Sequence, residues 1–180
     1  MEDLSLHILD IVENSTKAGA SLVEINIKGN TDKDLLQIII KDNGQGMDPE
    51  MVKRVTDPFV TSRTTRRVGM GLPMLEQAAQ EAGGNLKVTS EKGIGTEVRV
   101  TFQASHIDRK PFGDMGSTMI SLILGNPDVD FIYESDFDGE KTFVDTRAIR
   151  AELGGVTSTS DPAVLKLLGD VFEESLKNQR

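Results

Sequence analysis

The chain of 180 residues has no cysteine, which excludes disulfides, thiolate metal sites and cysteine nucleophiles. Long apolar runs are missing too. No stretch approaches the about 18 apolar residues that a membrane-spanning helix needs. The amino terminus, Met1-Glu2-Asp3, is acidic where an export signal would be basic, so the expected address is the cytoplasm, with no membrane partner. Positive charge is in deficit, the net charge being −9. Residues 1–104 carry 12 Lys and Arg against 15 Asp and Glu, and residues 105–180 carry 8 against 14. An acidic chain gains little from phosphate electrostatics, which argues against DNA or RNA as a partner. One segment breaks the pattern: Pro58 to Leu75 holds no acidic residue, while Arg63, Arg66 and Arg67 cluster within it. It fits either a solvated loop or a lid facing phosphate, since it precedes a glycine-rich turn.

What remains is an ordinary globular composition, 27% charged and 37% hydrophobic, with no internal repeat or low-complexity tract. Leu4, Ile8, Ile11 and Ala18 form an apolar stripe that predicts a helix over 3–18, stopped by Gly19. Leu22–Ile27 and Leu35–Ile40 read as an antiparallel hairpin around the polar turn 29–34. Asp48-Pro49 predicts a helix start, with Asp48 as the N-cap. Residues 57–71 have no clean period and read as a functional loop. A helix over 72–82 and two strands, Leu86–Ser90 and Thr96–Phe102, complete the first hundred residues. This order predicts an α+β fold, a mostly antiparallel sheet covered by helices on one face.

A composition shift and Pro111 place a boundary near 104–112. Beyond it, the pattern predicts a helix over 115–124, a hairpin from Val129–Glu134 and Lys141–Val144, and helices over 147–153 and 162–176. The expectation is a small C-terminal α/β domain, 105–180, that binds a partner or dimerises. The acidic hairpin tip around Asp136-Phe137-Asp138-Gly139-Glu140 reads as a solvated turn.

Four segments carry the chemistry: IVENSTKAGAS (11–21), DNGQGM (42–47), GMGLPM (69–74) and GIGTEV (93–98). In DNGQGM an acidic residue precedes Gly-x-Gly, which lets backbone approach a flat ligand beside a hydrogen-bond-accepting carboxylate. The same letters alone also make a strand-ending turn. Asp10 and Asn14 stand four residues apart on one helix face. That spacing fits a ligand-facing pair or the polar edge of a surface helix. In this order the segments resemble the Bergerat nucleotide-binding fold of the GHKL superfamily, which includes gyrase, Hsp90, histidine kinases and MutL. The resemblance covers about residues 4–102 as a two-layer α/β sandwich.

The resemblance implies ATP and magnesium as ligands. It makes Asn14 the magnesium ligand of the N-box, Asp42 the acceptor for the adenine amine, and Thr96 its companion. Gly44 and Gly46 leave room for the ring, and Met47 packs beside the base. Asp10 falls where gyrase-like and MutL-like members carry a water-activating Glu and histidine kinases carry Asn. Glu13 is a second candidate base, and Lys17 matches a basic position facing phosphate. DPFVTSR (57–63) resembles the F-box, with Phe59 beneath the lid and Arg63 available to phosphate. Gly69, Gly71 and Leu72 belong to the second glycine box, where Pro73 replaces the third glycine. No preceding helix hairpin with a phosphoacceptor histidine is visible; His7 reads as structural. The expected function is a stand-alone histidine-kinase-like module that hydrolyses ATP slowly or phosphorylates a partner protein. The alternatives are an ATP-gated binding module and a MutL-like repair ATPase.

Overall fold

The computed structural model describes residues 3–55, 71–154 and 160–177. Helix α1 (Leu4–Lys17) starts where the Asp3 carboxylate accepts from the Leu6 N–H, giving the first turn an acceptor that the helix itself cannot supply. Leu4, Ile8, Ile11 and Val12 are buried along one side of it. Strands β1 (Leu22–Asn30) and β2 (Leu35–Asp42) form the expected hairpin, and both run further than the apolar alternation indicates. Val23, Ile25 and Ile27 face inward beside Leu36, Ile38 and Ile40.

Helix α2 (Pro49–Val55) opens with Asp48 accepting from the Met51 N–H at 2.8 Å. After α3 (Gly71–Glu81) come β3 (Leu86–Glu91) and β4 (Gly95–Gln103), a second hairpin. The chain continues as α4 (Met115–Gly125), β5 (Asp130–Phe137), β6 (Glu140–Asp145), α5 (Thr146–Leu153) and α6 (Pro162–Glu174).

The strands make one six-stranded sheet in the order β3-β4-β2-β1-β5-β6. Every neighbouring pair is antiparallel except β1 and β5, which run parallel from Leu22–Asp130 to Gly29–Phe137. Helices α1, α3, α4 and α6 bury the inward side chains of the sheet. This is the expected α+β architecture. Helix α6 reaches the sheet through Phe172, whose ring meets Tyr133 edge-on with centroids 5.0 Å apart.

The expected boundary at 104 is a connection within one sheet and one core. Met115, Met119, Phe131, Tyr133 and Phe172 belong to the same buried cluster as Val23, Ile25 and Val98. Burial of that apolar area, worth about 1.5–3 kcal/mol per large side chain, is shared across the boundary. Local clasps reinforce it. Asp34 accepts from the Ser105 N–H at 2.8 Å, the Ser105 hydroxyl at 2.7 Å and the Gln103 amide at 2.8 Å. The acidic tip between β5 and β6 is exposed but is more than a solvated turn. Its Asp138 accepts from the Thr31 N–H at 2.9 Å and from the Thr31 hydroxyl, tying the two hairpin tips together.

Phe172→Ala removes the ring that Tyr133 packs against and is expected to cost about 3–5 kcal/mol. Denaturant unfolding followed by far-UV circular dichroism is expected to stay a single transition at a lower midpoint. Two separate transitions would contradict a shared core.

Candidate functional site

One end of the sheet carries a row of polar groups on three adjacent strands. Register places Ser90 of β3 opposite Thr96 of β4, and Thr96 opposite Asp42 of β2. Asp42 is buried, at 9% exposure, so each lone pair without a donor would cost desolvation energy. Its Oδ2 accepts from the Ser15 hydroxyl of α1 at 2.7 Å. Its Oδ1 accepts from the Gly44 N–H at 2.9 Å and the Thr96 N–H at 3.3 Å. The Ser90 hydroxyl meets the Thr96 hydroxyl at 2.8 Å and accepts from the Met47 N–H at 2.8 Å. Two of these groups, Ser15 and Ser90, went unmarked in the sequence. A signal existed for Ser15: it sits four residues after Ile11 in the apolar stripe, where a serine must find a buried partner.

The loop after Asp42 is shaped by close approach. Gly46 has φ +63°, and a Cβ there would overlap the Glu91 carbonyl, so the loop lies directly against the β3–β4 turn. A Cβ on Gly44 would stand 3.0 Å from the Ala18 carbonyl and 3.1 Å from Asp42 Oδ1. The space around both glycines is thus occupied by the chain's own backbone and by the Asp42 carboxylate. Met47 is partly buried against the core. Asn43 accepts from the Ser21 and Leu22 N–H groups, each at 2.9 Å, which pins this loop to the start of β1.

One helical turn earlier on α1 the character changes. Asp10 Oδ2 is buried and has no hydrogen-bond partner among the described residues. Burial raises the Asp10 pKa, the Glu13 carboxylate raises it further, and Lys17 partly offsets them. Gly71, the first residue of α3, lies so close that a Cβ on it would overlap this carboxylate. The absence of a side chain at position 71 is what lets the two helices meet here. Asn14, on the same face of α1, makes no side-chain hydrogen bond among the described residues. Glu13 and Lys17 are exposed and pair with each other at 3.1 Å. Leu72 is buried in the core, and Pro73 stands within the first turn of α3, where its missing N–H costs nothing.

The structure therefore sets Gly71 against Asp10, with Asn14 one turn further along α1, and brings Asp42, Gly44, Met47 and Thr96 together beside Ser15 of the same helix. Phe59, Arg63 and Gly69, with Arg66 and Arg67, lie outside the described residues. His7 faces the core at 2% exposure. No group of three or more His, Asp or Glu among the described residues could hold a metal. The Asp10 oxygen and the Asn14 amide oxygen, both without a partner among the described residues, are nevertheless hard oxygen donors of the type magnesium takes, in a set that leaves most positions to water or phosphate.

Comparison with known proteins gives the family. Residues 2–106 match the family described as histidine kinase-, DNA gyrase B- and HSP90-like ATPases. The chain belongs to that family. It is similar to the histidine protein kinase SaeS of Staphylococcus aureus, 32% identical over 106 residues, which are 56% of this chain and 30% of that protein. A sensor protein of Shewanella frigidimarina is 30% identical over 107 residues, 56% of this chain and 16% of its own length. The chain thus spans less than a third of either relative. In solved structures, the fold resembles the N-terminal domain of a DNA repair protein, with a TM-score of 0.56 and 19% identity over 80% of this chain and 52% of that one. No helix among the described residues is long and apolar enough to cross a membrane.

Two outcomes are expected. Ser15→Ala leaves Asp42 Oδ2 without its donor and should cost about 1–3 kcal/mol in urea unfolding. Burial, with Lys110 contributing and Asp3 opposing, lowers the His7 pKa to about 4. The unfolded chain then takes up the proton first, so stability falls as pH drops from about 6.5 toward 4. Melting curves of His7→Leu across that window should show a shallower acid decline than those of the natural chain.

Proposed function

We propose that the chain is an ATP-binding module that hydrolyses ATP slowly or transfers its terminal phosphoryl group to a separate protein, in the cytoplasm. The observation that carries this is the presence of two unlike carboxylates next to helix α1, Asp10 on it and Asp42 bonded to it through Ser15. Asp42 is buried and held by three donors, whereas Asp10 is half-buried with one oxygen unpartnered among the described residues. The first is built for fixed recognition and the second for proton exchange.

Asp42 would accept from the exocyclic amine of adenine, with Thr96 and Met47 beside the base. Its position is set by Ser15 and Thr96 before any ligand arrives, so little ordering cost falls on binding. Asn14 and the phosphate oxygens would hold magnesium, which neutralises charge on the phosphates when bound. The first turn of α3, from Gly71, presents N–H groups and the positive end of its dipole toward the same flank. Lys17 and the arginines of 63–67 would add positive charge at the phosphate end.

The raised pKa makes Asp10 a stronger proton acceptor than a solvated aspartate. It would take the proton from an attacking water, or from a hydroxyl of a partner, as the bond to the terminal phosphoryl group breaks and ADP leaves. Glu13 is engaged with Lys17 and acts on Asp10 through its charge. Residues 105–180 share the sheet but not the nucleotide-binding residues, and we assign them to partner contact.

The test is thermal melting with magnesium and ATP. Ligand at a hundredfold its Kd stabilises by about 2.7 kcal/mol, a rise of roughly 5–10 °C for a chain of this length. Asp42→Asn should lose that rise, and GTP should not produce it, because a carboxylate faces the guanine carbonyl unfavourably. Asp10→Asn should keep the rise and lose hydrolysis. A raised folded-state pKa means the ionised form of Asp10 is disfavoured above about pH 4, so Asp10→Asn should also melt higher than the natural chain at pH 7. No response to millimolar ATP would refute the proposal.

A further inference from the structure

Strand β6 ends the sheet and, among the described residues, pairs only with β5. No backbone N–H or carbonyl of residues 141–144 has a partner beyond β5 among the described residues. Natural sheets protect such edges with proline, bulges or a covering element. Residues 140–145 contain no proline and keep an unbroken register with β5. At the centre of the outer face stands Phe143, 64% exposed and opposite Glu134 of β5, while Val144 points into the core. Alternation puts Lys141 and Asp145 on the same face as Phe143, one on each side of it.

This pattern is self-complementary. We propose that β6 is an interface between two copies of this chain, pairing antiparallel with itself about Phe143. In that register Phe143 lies across from its counterpart, and Lys141 of each copy faces Asp145 of the other. Opposite charges directly across a strand pair are favourable, like charges are not, and aromatic pairs add to both. Slipping by one residue sets Glu140 against Asp145, so charge selects the centred register over that neighbour. Glu140 then faces Thr146, the first residue of α5, where the helix end favours a carboxylate.

Each side chain accommodates its new neighbour. Lys141 already lies 3.5 Å from Asp136 and, at 65% exposure, can bridge Asp136 and the other copy's Asp145. Asp145 already binds Arg147 at 2.7 Å and caps α5, so its carboxylate is held in place before association. The opposite edge, β3, has Lys87 and Thr89 on its exposed face and no exposed aromatic residue. A junction of one short strand buries less than the about 1,200 Å² of stable interfaces, so the dimer forms and dissociates with concentration. This inference does not rest on ATP binding.

The absence of cysteine makes the test direct. In the full chain, Phe143→Cys introduces a single thiol, and opposed residues of antiparallel strands have Cα atoms about 4.5–5.5 Å apart, within disulfide range. Mild oxidation should convert Phe143→Cys to a covalent dimer at least tenfold faster than Thr89→Cys, whose thiol lies on the opposite edge. Sedimentation equilibrium of the natural chain should show a monomer–dimer equilibrium whose Kd rises tenfold or more in Lys141→Glu. A strict monomer at several hundred micromolar would overturn the proposal. So would equal oxidation rates, or a dimer untouched by Lys141→Glu.

Discussion

A carboxylate buried at the end of a strand constrains everything around it. Asp42 sits where β2 leaves the sheet, and its two oxygens draw donors from three directions: Ser15 of α1, the N–H of Gly44 just beyond the strand, and the N–H of Thr96 on β4. None of these can move independently. The Ser15 bond fixes the rotation of α1 about its axis, and that rotation decides where Asp10 and Asn14 point. The Thr96 bond requires the β2–β4 register to be correct to the residue. Rigid placement of α1 thus follows from the need to satisfy one desolvated anion.

Asp10 obeys the opposite rule. Its inner oxygen has no donor among the described residues, and its neighbour Glu13 adds negative charge. A protein gains no stability from such an arrangement, which fits a group kept for chemistry. Gly71 makes it possible by letting the start of α3 come against the carboxylate without a side chain between them. Asp10 lies on α1 itself and Asp42 at the end of β2 meets the same helix through Ser15, yet their surroundings differ.

Local features were legible in the sequence. The cap at Asp48, the alternation in β1 and β2, and the turn residues of each hairpin all read directly, because neighbours along the chain determine them. The residues of DNGQGM and of the α1 stripe pointed to the site for the same reason. What escaped was set by distant contacts. Nothing near Val129–Glu134 reveals that this strand lies parallel to β1, since that pairing joins residues far apart and depends on the whole intervening chain. The apparent boundary at Pro111 marks a change in composition, while the core it crosses depends on Phe131 and Tyr133 lying beside β1 and on Phe172 packing against Tyr133. Ser15 was passed over because a lone serine carries meaning only once its partner across space is known. Asp138 likewise read as a turn residue, and its grip on Thr31 required both hairpins to be in place.

The position of β1 between β2 and β5 has a consequence for any attempt to study the family-matching part by itself. The stretch that matches the family stops at residue 106, before β5 begins. A fragment trimmed to that stretch would strip β1 of its parallel neighbour along eight register positions and open the core where Phe131 and Tyr133 had covered it. Such a fragment would present a long, apolar, unpaired strand to its surroundings and would tend to clump. The polypeptide beyond residue 106 is the seal on that flank, and α1 keeps its footing only while the seal is present.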